Sequence, residues 1–186
     1  MSILLSKISA ARNLGRAVRN LRRRENGNAT IEFVILFPML MTLFFVVFET
    51  GLVMTRGVML DRAVDIAMRD LRLGTLSPMT HAGLKTRICQ NTVIIADCDN
   101  VVLIELRKIS TTTWNLFNTN TTCVDRSETV QPVLSFETGL KDEMMLVRVC
   151  AVLDPFFPGV GLASRMQLDS TGGYALVAMS AYVNEP

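Results

Sequence analysis

The presence of Glu32 most needs an explanation, because this ionisable residue lies at the start of an otherwise apolar run. From Phe33 to Phe48 the only residues that are not apolar are Pro38 and Thr42. An ionisable group at bilayer depth costs about 2.5–3.5 kcal/mol on insertion scales, so it usually has a partner or a function. We therefore predict that a positive charge from outside the run neutralises the Glu32 carboxylate.

The cysteines are the second set of reactive side chains, and all four lie beyond the apolar run. Four cysteines allow three disulfide pairings, of which we favour Cys89–Cys98, close in sequence, together with Cys123–Cys150. Buried free thiols are one alternative and a zinc site is another. The sequence has no CxxC motif, and its one histidine, His81, is not near a cysteine pair, so we expect no bound metal.

Side chains for catalysis are scarce. An active site needs a nucleophile with a base, a metal cluster, or paired acids in a pocket. The sequence has one histidine and no nucleophile elbow, and Gly159-x-Gly161 is too short for a phosphate loop. We expect no enzymatic activity, no cofactor and no small-molecule substrate.

Charge and hydropathy divide the 186 residues unevenly. Residues 1–27 carry seven basic residues and one acidic residue, whereas the remainder carries 12 basic and 16 acidic residues. This distribution does not suggest nucleic-acid binding. Extended to Met54, the apolar run covers about 24 residues, roughly 36 Å of helix, which is enough to cross a bilayer. The basic flank then predicts a single-pass protein with a cytoplasmic N-terminus and an exported C-terminal body.

The apolar run has two other interpretations, a buried core helix and a cleaved secretory signal. The basic leader fits either an amphipathic helix on the inner membrane surface or an unstructured segment.

A short motif joins the leader to the run. If the chain is cut after Gly27, Asn28 becomes its first residue and Glu32 its fifth, followed by Phe33. This pattern resembles a type IV prepilin cleavage site. Glycine lets a membrane peptidase approach an extended backbone closely. Cleavage would expose an ammonium at Asn28, which can pair with the Glu32 carboxylate of an adjacent subunit.

The wider stretch GNATIEFVILFPMLMTLFFVVFETG resembles the TadE-like minor pilins, or pseudopilins, of the tight-adherence (Tad/Flp) pilus machinery. The matching features are Gly27, Glu32–Phe33, Pro38 and the Glu-Thr-Gly sequence at 49–51 that follows the apolar run. The resemblance implies a dedicated prepilin peptidase, a membrane helix and an exported globular part. It also implies partners among other pilin-like subunits and the Tad machinery.

Two further residues of the run are candidates for subunit assembly. Pro38 removes a backbone donor and should kink or loosen the helix near Val34–Pro38, which would help a subunit leave the membrane. A tolerated membrane proline is the alternative. Glu49 should lie at the outer boundary, where it reaches water, with a partner contact as its second interpretation.

The exported body reads as a helix followed by strands. Leu60, Val64, Ala67 and Leu71 recur at helical spacing, and Gly74 is a stop signal, so the first helix should cover 29–73. A second helix should start at Ser77–Pro78 and reach Ile88. Strands are expected at Val101–Ile109, Thr111–Phe117, Glu143–Leu153 and Tyr174–Val183.

These elements predict an α+β fold, in which a long N-terminal helix packs on a small antiparallel sheet of three or four strands. We expect three parts: a leader at 1–27 that is removed, a transmembrane helix at 28–54 and an exported pilin-like domain at 55–186. The expected core contributors are Trp114, Val147, Val149, Leu176 and Ala178.

The loop DPFFPGVGLASRM places four apolar residues in a Pro/Gly-rich connection: Phe156, Phe157, Val160 and Leu162. They either tuck into the domain's own core or form a contact surface for another pilin-like subunit.

Together these features predict a minor pilin or pseudopilin that primes, caps or supports assembly of a Tad/Flp pilus for surface adherence. It would lie in the bacterial inner membrane with a periplasmic domain, or in the extracellular pilus. The alternatives are a membrane-anchored periplasmic binding module that never polymerises and a secreted protein.

Overall fold

The computed structural model describes residues 28–75, 80–114, 123–126, 128, 134–159, 162 and 165–184. In these residues the chain forms three helices and three strands: α1 (Asn28–Arg72), α2 (His81–Asn91), α3 (Cys98–Val101), β1 (Val102–Lys108), β2 (Met144–Leu153) and β3 (Tyr174–Val183). The chain divides into two compact units, Met1–Phe44 and Phe45–Pro186. The first is described only over the start of α1, and the second contains the sheet.

The long helix α1 continues through Pro38 and ends close to the predicted position. Its end is a Schellman motif, in which the N–H of Gly74 donates to the carbonyl of Leu71 and the N–H of Thr75 to that of Asp70. Gly74 has a φ of +66°, a conformation that glycine adopts without a Cβ clash. Local sequence therefore fixes where α1 stops.

The sheet is an antiparallel meander in the order β1-β2-β3. Ile104 pairs with Val149, and Val149 pairs with Ala178, which fixes the register across all three strands. The central strand β2 is buried almost throughout. That burial explains why its sequence is nearly continuously apolar rather than alternating.

The core lies between α1 and one face of the sheet. Leu60, Val64, Ala67 and Leu71 are all buried there, as their spacing predicts. The strands contribute a matching set of buried side chains: Val102, Ile104, Leu106, Val147, Val149 and Ala178. The predicted α+β fold, a long helix on a small antiparallel sheet, is confirmed.

The strand predicted at Thr111–Phe117 is wrong for its described part, because 111–113 form a turn and Trp114 lies outside any strand. The hydroxyl of Ser110 accepts the N–H of Thr112, and the N–H of Trp114 donates to the carbonyl of Ser110. Such local bonds from hydroxyl side chains compete with sheet pairing. Trp114 is consequently 57% exposed, so its assignment to the core is also wrong.

The second helix begins later than predicted. Its N-cap is Thr80, whose hydroxyl accepts the N–H of Gly83 at 3.1 Å, and it ends at Asn91 rather than Ile88. Ser77 and Pro78, the predicted start, lie outside the described residues. His81, the first residue of α2, stands edge-on to Phe136 with ring centroids 5.4 Å apart.

Candidate functional site

The predicted processing residues lie at the start of α1. Gly27 is outside the described residues, and Asn28 is the first residue of the helix. Glu32 and Phe33 are exposed on α1, where the Phe33 ring lies 5.1 Å from that of Phe37. Within the described part of the chain the Glu32 carboxylate has no cationic partner.

The apolar run forms an exposed helical surface. Of the described helices, α1 is the one long and apolar enough to cross a membrane, and none of its most apolar stretch is buried. Two hydroxyl groups of α1 are paired with its own carbonyls, since Thr42 donates to Met39 and Thr50 donates to Val46. A lipid-facing helix needs its polar groups paired internally in this way.

Residues 27–69 match the family model described as TadE-like protein. The resemblance predicted from the residues is confirmed over this segment. The TadE-like segment contains Glu32, Pro38, Glu49 and most of the helical face that packs on the sheet. Comparison with curated proteins gave no match, and comparison with solved structures gave none either.

The match is consistent with a pilin-like protein related to the Tad pilus, and α1 is long and apolar enough to serve as a membrane anchor. The TadE-like family is structural rather than enzymatic, which fits the scarcity of catalytic side chains in this sequence.

Glu49, inside the TadE-like segment, is 1% exposed, so the prediction that it reaches water is wrong. Its Oε1 accepts the N–H of Phe156 and its Oε2 accepts the N–H of Phe157, each at 3.0 Å. The charged group is thus paired within the chain by two charge-assisted hydrogen bonds. These bonds hold the loop after β2 against α1.

The sequence already contained a signal for this burial. Leu60 is the first residue of the predicted core face, and carrying its 4-and-3 spacing towards the N-terminus gives Arg56, Val53 and Glu49. All three are buried or half-buried in the structure. Periodicity therefore placed Glu49 on the inner face, whereas its charge suggested the solvent side.

Aromatic rings surround the Glu49 clamp, by which we mean the carboxylate and the two N–H groups it accepts. The Phe157 ring lies 4.6 Å from that of Phe45 and 6.0 Å from that of Phe48. The Phe156 ring lies 5.8 Å from Phe48. Of the other two loop residues singled out by sequence, Val160 lies outside the described residues and Leu162 is half-buried.

Arg56 makes a second attachment between α1 and the end of β2. Its Nη1 donates to the Tyr174 hydroxyl at 2.7 Å and to the carbonyl of Asp154 at 3.1 Å. The Asp154 side chain forms an ion pair with Arg126 at 2.8 Å. The chain leaving β2 is therefore fixed immediately before it reaches Phe156.

The turn before β3 is organised by Asp169. Its Oδ1 accepts the N–H groups of Thr171 and Gly173 as well as the Thr171 hydroxyl. Burial raises the pKa of Asp169, but these bonds and the nearby Arg126 charge outweigh it, so the pKa is lowered. The carboxylate form thus stabilises the turn.

Both disulfides lie in the second unit. Cys89 is bonded to Cys98, which joins α2 to α3, and Cys123 is bonded to Cys150 on β2. This is the pairing favoured from the sequence. Among the described residues no group of three or more His, Cys, Asp or Glu side chains could hold a metal ion.

A cleft of about 670 Å³ is lined in part by Arg56 and has charged residues of both signs in its wall. Lys85 is one of them; its pKa is lowered by desolvation, which Asp99 partly opposes. Arg126 and Asp154, already paired with each other, are also in the wall. Arg126 and Asp154 compensate each other's charge, and the lining residues that the structure describes include no nucleophile with a base.

Proposed function

We propose that this protein is a minor pilin or pseudopilin of a Tad/Flp pilus, inserted in the inner membrane with its C-terminal domain in the periplasm. A prepilin peptidase would cut after Gly27, and the subunit would then prime, cap or support pilus assembly. The observation that carries the proposal is the TadE-like match over 27–69, with Glu32 exposed at the head of an exposed apolar helix and without a cationic partner among the residues that the structure describes.

The physical reason is charge neutralisation in lipid. The Glu32 carboxylate has no cation in the described part of its own chain, and such a group is costly in a bilayer. The ammonium that cleavage creates at Asn28 of an adjacent subunit would remove that cost and set the register between stacked helices. Glu49, whose carboxylate is already paired, has no such need.

Orientation follows from the seven basic residues of the leader, which favour the cytoplasmic side. The two disulfides support an oxidising compartment for the C-terminal domain.

Processing is tested by N-terminal sequencing of the protein purified from membranes. We expect a start at Asn28, and we expect Gly27→Ala to leave most of the chain uncut. Gly51→Ala is the matched control, because a Cβ at Gly51 meets nothing within 4 Å. An intact Met1 in the working protein would favour the tethered periplasmic module instead.

Assembly is tested separately with Glu32→Ala, which should be processed normally but incorporated or paired poorly. Asp65→Ala, which removes an exposed acid further along the same helix, is the control. The readout is the amount of pili and of subunit copurifying with pilus components. Wild-type levels in the Glu32 variant would refute the pairing mechanism.

A further inference from the structure

Pro155, Phe156, Phe157 and Pro158 form the part of the loop after β2 that lies against α1, and we call these four residues the Phe tip. Proline has no backbone N–H, so the Phe tip has only two backbone donors, on Phe156 and Phe157. Both donate to the Glu49 carboxylate at 3.0 Å. The Phe tip therefore has no backbone donor that still requires water.

The side chains of the Phe tip are apolar and only partly covered. Phe157 is half-buried between Phe45 and Phe48, whereas Phe156 is 58% exposed. Phe156 lies edge-on to Phe48, which is itself 41% exposed. The two rings form one exposed aromatic surface made by the loop and the helix together.

This surface lies at a defined level along α1. Phe45 and Phe48 lie in the last turn of the apolar run that begins at Phe33. After Glu49 the first charged residue is Arg56, roughly 10 Å further along the axis. The Phe tip thus meets the helix at the end of its apolar stretch and before the first charge beyond the clamp. Phenylalanine is among the apolar side chains that proteins bury at the boundary between headgroups and acyl chains.

We propose that the Phe tip is a second membrane contact, with Phe156 and Phe48 inserted in the interfacial layer of the outer leaflet. The proposal rests on α1 crossing the bilayer, as in the proposed function. Backbone N–H groups outside helices enter an apolar layer at low cost only if they are paired within the protein. The Glu49 clamp satisfies the donors of the tip, so that the lipid-facing loop exposes rings rather than unpaired N–H groups.

Fluorescence quenching by lipid tests this contact in the full-length chain. Trp114, the one tryptophan, is replaced by phenylalanine, and a tryptophan is then introduced by Phe156→Trp, Phe48→Trp, Leu40→Trp or Leu140→Trp. Leu40 reports the span. Leu140 is 73% exposed and precedes the opposite end of β2 from the tip, about 30 Å away along the strand. Each protein is reconstituted in phosphatidylcholine vesicles, with acyl chains brominated near the headgroup for positions 156, 48 and 140 and near the chain ends for position 40, which lies at the middle of the span.

We expect tryptophan at positions 156 and 48 to be quenched severalfold more than tryptophan at 140. Quenching at position 40 without quenching at 156 and 48 would overturn the Phe tip contact and leave the membrane span intact. No quenching at position 40 would overturn the span and the tip contact with it. Blue-shifted emission at 156 that brominated lipid does not quench would indicate a protein contact and would also refute the proposal.

Discussion

Glu32 and Glu49 stand on the same helix and meet opposite environments. The Glu49 carboxylate is buried and accepts two backbone N–H groups, so its charge is compensated inside the molecule. Glu32 is exposed and has no cationic partner in the described part of the chain. A buried charge is retained only when it is paired, which assigns Glu49 to internal structure; Glu32 is the residue for which we propose an external partner.

Replacing Glu49 by glutamine should loosen the Phe tip selectively. The amide keeps one acceptor oxygen but puts an NH₂ group where the second acceptor was, so one tip N–H loses its partner. A hydrogen bond to a charged group contributes about 1.5–3 kcal/mol, which predicts amide exchange at Phe156 and Phe157 faster by roughly tenfold or more. Hydrogen exchange measured by NMR or mass spectrometry in detergent micelles checks this.

Glu143→Gln is the control for that change, since its carboxylate accepts the N–H of Leu140 away from the tip. It should leave exchange at Phe156 and Phe157 unaltered. Equal protection of the tip in the Glu49 variant and the wild type would show that the clamp contributes nothing to holding the loop.

We expect removal of the hydroxyl group to change the free energy of unfolding differently at the two tyrosines. The Tyr174 hydroxyl accepts from Arg56, so Tyr174→Phe should lower the free energy of unfolding by about 1 kcal/mol. The Tyr182 hydroxyl is buried without a hydrogen-bond partner among the described residues, so Tyr182→Phe should be neutral or slightly stabilising near pH 7. Urea denaturation of both variants in micelles measures the difference.

Alkaline pH separates the wild type from Tyr182→Phe. Burial raises the pKa of Tyr182 to about 12, whereas a tyrosine in the unfolded chain has a pKa of about 10. Above about pH 10 the unfolded state loses the proton first, so stability falls as pH rises towards 12. Tyr182→Phe lacks this contribution, and its stability should fall less over the same range; identical pH profiles would contradict the assignment.

At the scale of elements, the sequence predicted those structures whose signals are periodic. The spacing of Leu60, Val64, Ala67 and Leu71 gave the buried face of α1, and Gly74 gave its end. The three strands were placed to within about a residue at either end. These features depend on local pattern and local turn chemistry, which a single sequence contains.

The failures arose where local hydrogen bonds or long-range pairing decided the outcome. Trp114 looked like a core residue by size, but the hydroxyl-rich stretch before it forms a turn that leaves it exposed. Glu49 looked like a solvent residue by charge, but its partners lie more than a hundred residues away in the chain. Composition alone does not reveal a partner at that separation.

The two disulfides should differ in their contribution to stability. They close loops with sequence separations of 9 for Cys89–Cys98 and 27 for Cys123–Cys150. Chain entropy assigns about 2.7 kcal/mol to the shorter loop and about 3.6 kcal/mol to the longer one. Replacing each cysteine pair by alanine should therefore destabilise the protein by amounts that differ by about 1 kcal/mol, measured by urea denaturation. A reversed order would show that native-state effects outweigh loop closure.

In the molecule as a whole, α1 is one continuous helix whose residues belong to both compact units. Its first part belongs to the unit ending at Phe44, and its remainder supplies one side of the core of the second. Both disulfides and the Glu49 clamp lie after residue 44. The second unit thus contains the buried apolar side chains and cross-links that a domain needs to fold.

A fragment of residues 45–186 should therefore fold without the first unit and form both disulfides. A matched fragment of residues 58–186 keeps the core residues from Leu60 onward but lacks Glu49 and Arg56, which fix the loop after β2. We expect the shorter fragment to lose only the helical circular dichroism of residues 45–57, and to show fast amide exchange at Phe156 and Phe157 that the longer fragment does not. If both fragments protect these amides equally, the loop is held by the sheet rather than by α1, and the clamp has no role in positioning the Phe tip.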